Sequence, residues 1–117
     1  MVGVAARGSG RRRWGVTPAR ERRALEVGRA FAEIIRDNPV VHALWVTADI
    51  EEPGIYLWLH TDPMDLTAES RLLGPSMDLI EERFPGEYIL VLPKHADNTI
   101  GDPRIPPRPD AVQIPLR

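Results

Sequence analysis

Proline sets the lengths of structure that this chain can build. Seven of its twelve prolines fall between Pro18 and Pro93, and each interrupts a helix or a central strand at its own position. Most sit where an element should begin or end. Thr17-Pro18 puts a capping hydroxyl before a proline at the first helical position, where the missing N–H costs nothing. Asn38-Pro39 stops that helix, because the residue before proline is pushed out of the helical region. Between the two signals Ala24, Val27, Phe31, Ile34 and Ile35 recur at helical spacing and form one apolar stripe.

Two short segments then read as strands. "VVHALWVTA" (40–48) is rich in β-branched and aromatic residues, with His42, Leu44 and Val46 on one face and Val41, Ala43 and Trp45 on the other. "GIYLWLHTD" (54–62) alternates Ile55, Leu57 and Leu59 with Tyr56, Trp58 and His60. Pro53-Gly54 supplies the turn between them, so an antiparallel hairpin is expected. Asp62-Pro63 repeats the cap-plus-proline signal and opens a second helix along Leu66, Leu73, Met77, Ile80 and Phe84. Gly74-Pro75 breaks into it at a cost of about 3 kcal/mol for an unbroken helix. The stripe keeps its phase, which predicts a kink or two abutting helices. "EYILVL" (87–92) is a third strand, apolar on both faces and therefore expected in a central or well-covered position, with Pro93 closing it. "AVQIPL" near the end can add a short edge strand.

These elements predict a two-layer α+β domain in the order helix, strand, strand, helix, strand. Both helices would cover one face of a three- or four-stranded, mainly antiparallel sheet. Residues 1–16 lack periodicity and are expected to be a disordered basic arm. Residues 17–93 form the domain, and 94–117 an extended proline-rich tail packed on it.

Composition bounds the function. The absence of cysteine removes disulfides, thiolate nucleophiles and Cys-ligated zinc together. No apolar run approaches the ~20 residues of a membrane helix, and no hydrophobic stretch follows the early arginines as a signal peptide requires. A cytoplasmic protein without membrane contact is expected. Fourteen of the fifteen basic residues are Arg, read here as the mark of a GC-rich bacterial genome. The net charge of −2 hides an asymmetry: seven Arg and one acid precede Ala24, and eight basic and sixteen acidic residues follow Arg23. Arg11, Arg12, Arg13, Arg20, Arg22 and Arg23 are thus candidates for holding nucleic acid.

The second face of the hairpin carries the sharper expectation. With the aliphatic residues turned to the helices, Trp45, Tyr56, Trp58 and His60 share the opposite side. Three large aromatics on an open sheet would leave an apolar patch of several hundred Å². Three covers are conceivable: the proline-rich tail, a second copy of the chain, or another partner. Bases could stack on the rings, but the bordering acids Asp49, Glu51, Glu52 and Asp62 disfavour phosphate.

Catalytic and metal signals are sparse. His42, His60 and His95 show no paired ligand spacing, and "HTD" (60–62) and "HAD" (95–97) are common triplets. No G-x-S-x-G elbow or phosphate-loop spacing exists. The order of elements, with "IYLWLHTDPMDLTAESR", "LIEERFP" and a final strand, resembles the cytoplasmic domain of cation diffusion facilitator transporters, which dimerise and bind metal. It is also similar to the core of DNA polymerase β-type nucleotidyltransferases. That resemblance implies a G-S loop and two alternating Asp for magnesium, and Tyr56 and Trp58 occupy the corresponding positions here. The expectation is a non-enzymatic interaction module, binding itself or another protein through the aromatic face, with neither metal nor cofactor. The alternatives are a degenerate nucleotidyltransferase-like or metal-dependent enzyme using His60, Asp62 and Asp49, and nucleic-acid binding through the arm.

Overall fold

A computed structural model describes residues 13–50, 54–95 and 105–117. Helix α1 spans Pro18–Ile35, and the Thr17 hydroxyl accepts the Arg20 N–H at 3.1 Å as the sequence leads one to expect. Strand β1, Val41–Ala48, pairs antiparallel with β2, Ile55–Thr61. A register shift between Val41 and Ala43 breaks the expected alternation at the start of β1. Val41 therefore joins Leu44 and Val46 in the apolar core while His42 is exposed, rather than sharing a face with them.

Helix α2 spans Leu66–Arg83 and starts one signal later than expected. Its cap is Asp65, whose carboxylate accepts the Ala68 N–H at 2.8 Å. Asp62 is occupied elsewhere: its N–H donates to the Val40 carbonyl at 2.9 Å, and its carboxylate lies 2.6 Å from His42 Nε2. Pro75 sits inside this single helix. At the next residue the Ser76 hydroxyl donates one turn back to the Leu72 carbonyl at 2.7 Å, a local bond of the kind that lets a helix bend.

Strand β3, Ile89–His95, runs parallel to β2, and β4, Val112–Ile114, runs antiparallel to β1. The sheet order is β3-β2-β1-β4. This is an α+β fold with a mixed sheet in which two of three pairings are antiparallel. The short edge strand expected within residues 111–116 forms at Val112–Ile114. β3, expected in a central or well-covered position, lies at an edge among the described strands, with Ile89 and Val91 buried and Leu90 and Leu92 half-buried. Nor does Pro93 end it; the strand runs through to His95.

One apolar cluster joins Ala24, Val27, Phe31 and Ile35 of α1 and Ile80 of α2 to Leu44, Val46, Leu57, Leu59 and Val91 of the strands. Full burial of each large aliphatic side chain contributes about 1.5–3 kcal/mol. At Gly28, a Cβ would stand 3.1 Å from Ile114 Cγ1, so the missing side chain lets α1 lie close over β4. Trp14, in a short 3-10 turn over Arg13–Gly15, and Val16 are also in the cluster. Packing therefore begins ahead of Thr17. The rest of the expected arm, residues 1–12, lies outside the described residues. Among those described, no helix is long and apolar enough to cross a membrane.

Candidate functional site

Strand register assembles the second face of the sheet. Trp45 of β1 stands opposite Trp58 of β2, which stands beside Leu92 of β3; one step along, Thr47, Tyr56 and Leu90 form the next row. None of these six belongs to the apolar cluster that joins the helices to the strands. The Trp58 indole N–H donates to the Thr47 hydroxyl at 3.0 Å, so a buried threonine fixes the ring across the hairpin.

Exposure across this face is graded. Trp45 and Tyr56 are each 8 % exposed within the single chain, and Thr47 and His60 are also buried. Trp58, Leu90 and Leu92 are half-buried. Tyr88, which precedes Leu90 by one strand repeat, is 60 % exposed. Its ring lies against Gly54, where a Cβ would come within 2.7 Å of Tyr88 Cδ2 and 3.3 Å of the Tyr56 hydroxyl. A side chain at 54 would displace both rings. The four aromatic-face positions named from sequence thus come together: Trp45, Tyr56 and His60 are buried as a floor, and the accessible part, with half-buried Trp58, lies towards β3. Tyr88, Leu90 and Leu92 went unnamed because their importance depends on β3 being an edge strand beside β2. The usable signal was their period of two.

The residues of the enzymatic alternative do not converge. Val41 pairs with Thr61 and Ala48 with Ile55, so Asp49 lies at one end of the hairpin and His60 and Asp62 at the other. At ~3.3 Å per residue the strands hold these ends roughly 20 Å apart. Each group also has a local structural role. Asp49 accepts two bonds from Arg108, at 3.0 and 3.1 Å, and the same guanidinium reaches Asp110 at 2.9 and 2.6 Å. Hydrogen bonds first to Asp49 and then to Asp110 hold Arg108 above its ordinary pKa. Asp62 meets His42, whose ring stands edge-on to that of His60 at 6.4 Å between centroids. Among the described residues, no three His, Cys, Asp or Glu side chains group as a metal site requires.

The basic residues divide. Arg11 and Arg12 lie outside the described residues. The Arg13 guanidinium lies 6.0 Å from the Trp14 ring centroid. Arg20 and Arg23 both bond Glu87, at 2.5 and 3.0 Å, and Arg23 stacks 4.8 Å from the Phe84 ring centroid. Burial pushes the Glu87 carboxyl up, but the bonds from Arg20 and Arg23 outweigh it and leave its pKa below the ordinary glutamate value. These two arginines tie α1 to the segment before β3. Arg22 stays exposed and lines a shallow groove with Glu26 and Arg29. Comparison with protein families, curated proteins and solved structures finds no match.

Proposed function

We propose that this protein is a non-enzymatic interaction module whose contact surface is the β3 side of the second sheet face. Tyr88, Trp58, Leu90 and Leu92 make the contact, and Trp45, Tyr56 and His60 form the floor behind it. The observation that carries the reading is the gradient of exposure: a continuous apolar face is enclosed at β1 and open at Tyr88. Exposed aromatic groups on a rigid buried floor are what interface centres are built from. The partner is a second copy or another protein. A cytoplasmic bacterial setting remains part of this proposal and rests on composition alone.

A photo-crosslinking residue in place of Tyr88, with the same residue in place of exposed Glu82 as control, tests the reading in an extract of the source organism. A discrete adduct at 88 and none at 82 is the expected result. Equal labelling at the two positions, or none at 88, overturns it. The enzymatic alternative predicts a rise in melting temperature on adding Mg²⁺ or Zn²⁺ with ATP, since a ligand of the native state must stabilise it. The interaction reading predicts no rise. Nucleic-acid binding would be strongly salt-dependent and vanish on deletion of residues 1–16.

A further inference from the structure

We propose that the groove between helix α2 and the loop before β1 binds a small aliphatic carboxylate. The charged end meets Arg71, and the chain lies over Val40, Met64 and Leu72. The groove exists because α2 is held mainly by its second half. Its buried residues are Ser76 and Ile80, whereas none from Leu66 to Pro75 is buried and Leu66 is 80 % exposed. The space left beside that first half is an open groove of about 540 Å³, within the range of small-molecule sites.

Asn38 and Val40 form one wall, and the α2 positions Ala68, Arg71 and Leu72 form the other. Val40 and Leu72 also pack against the apolar cluster, so an aliphatic chain laid on them extends the core outward. The loop wall is fixed by its own hydrogen bonds. The Asn38 side chain accepts the Val40 N–H at 3.1 Å, and the Asn38 carbonyl accepts the Val41 N–H at 3.2 Å. The Asp62 N–H donates to the Val40 carbonyl at 2.9 Å and ties this loop to the end of β2. A wall already in place lowers the ordering cost of binding.

Charge decides what the groove accepts. Two charged residues line it, Asp65 and Arg71. Asp65 is engaged as the helix cap through the Ala68 N–H. Arg71 is exposed and forms no ion pair among the described residues. Its neighbours three and four positions away on the helix are Thr67, Ala68, Gly74 and Pro75, and none carries a charge. Arg22 and Arg29, by contrast, stand four residues before Glu26 and Glu33, and Arg83 bridges to Glu33 at 3.7 Å. The charge left over in the groove is therefore a guanidinium, which matches a carboxylate with two parallel hydrogen bonds. Asp65 lies about 9 Å from Arg71 along the helix axis, so the chain that fits between them is of medium length.

The test uses the full chain, with octanoate as the probe and amide NMR shifts as the readout. Saturable shifts below about 5 mM, centred on residues 38–40 and 63–72, are the expected result. Octanol and octylammonium should each bind at least about tenfold more weakly, because neither offers Arg71 an anion. Arg71→Gln should lower the octanoate affinity about tenfold and leave octanol binding and the melting temperature of the free protein unchanged. Ala68→Phe, which fills the groove, should abolish binding of both. Absence of saturable octanoate binding overturns the proposal, as do equal affinities for the three probes or shifts centred elsewhere. An Arg71→Gln variant that binds octanoate as the native chain does also overturns it.

Discussion

The two edges of the sheet are finished differently. At the β4 edge the chain is locked from several sides: Ile114 and Leu116 are buried, and α1 lies close at Gly28. The Trp14 indole N–H donates to the Asp110 carbonyl at 2.9 Å, and Arg108 clamps Asp110 to Asp49. At the β3 edge there is a longer strand with half-buried leucines and an exposed tyrosine. A three-residue strand held by side chains and a seven-residue strand whose first four residues are apolar meet the same problem in different ways. A sheet edge is protected either by what packs over it or by what its strand carries, and the β4 edge is packed over from within the chain.

The comparison can be broken most forcefully at Trp14. Trp14→Ala removes a buried ring and the bond to Asp110, and should destabilise the fold by about 3 kcal/mol in chemical denaturation. A loss below about 1 kcal/mol would mean that the β4 edge does not depend on this anchor. Next comes Arg108→Met, which leaves Asp49 and Asp110 facing each other without a cation. Because the guanidinium is partly exposed, solvent screening limits the loss to about 1 kcal/mol, and high salt should reduce it further.

Glu87 sharpens the contrast through pH. Its carboxyl has a lowered pKa in the folded chain, so the unfolded state binds the proton more readily. Its contribution is therefore fully present above the ordinary glutamate pKa of about 4.3 and is lost as pH falls through the lower folded value. Melting temperature measured downward from about pH 5 should fall less steeply in Glu87→Gln than in the native chain. Identical slopes would rule out the Arg20–Glu87–Arg23 tie as a source of stability. The smallest effect on folding belongs to Tyr88→Ser, within about 0.5 kcal/mol for so exposed a ring. The same change should weaken association, separating the surface from the core.

Much of this was legible residue by residue. Thr17-Pro18 and the stripe from Ala24 to Ile35 announce α1, Pro53-Gly54 announces the hairpin, and the alternation of Ile55 to His60 sorts its faces. These signals are local, carried by dihedral preference and side-chain period. The start of α2 was misplaced because Asp62 and Asp65 are chemically equal as caps; His42, twenty residues earlier, decides between them. Of the candidate site, Trp45, Tyr56 and Trp58 could be named, whereas Tyr88, Leu90 and Leu92 could not.

The chain's own order of residues determined which segments form helices and strands and, beyond the register shift at Val41–Ala43, which hairpin side chains share a face, because both follow from neighbours within a turn or a strand repeat. Tertiary structure alone decided that β3 runs parallel to β2 at an edge, that Trp14 belongs to the core, and that Asp49 and Glu87 serve as clamps. Each of those rests on a pairing between residues far apart in the chain, and no local preference encodes such a pairing.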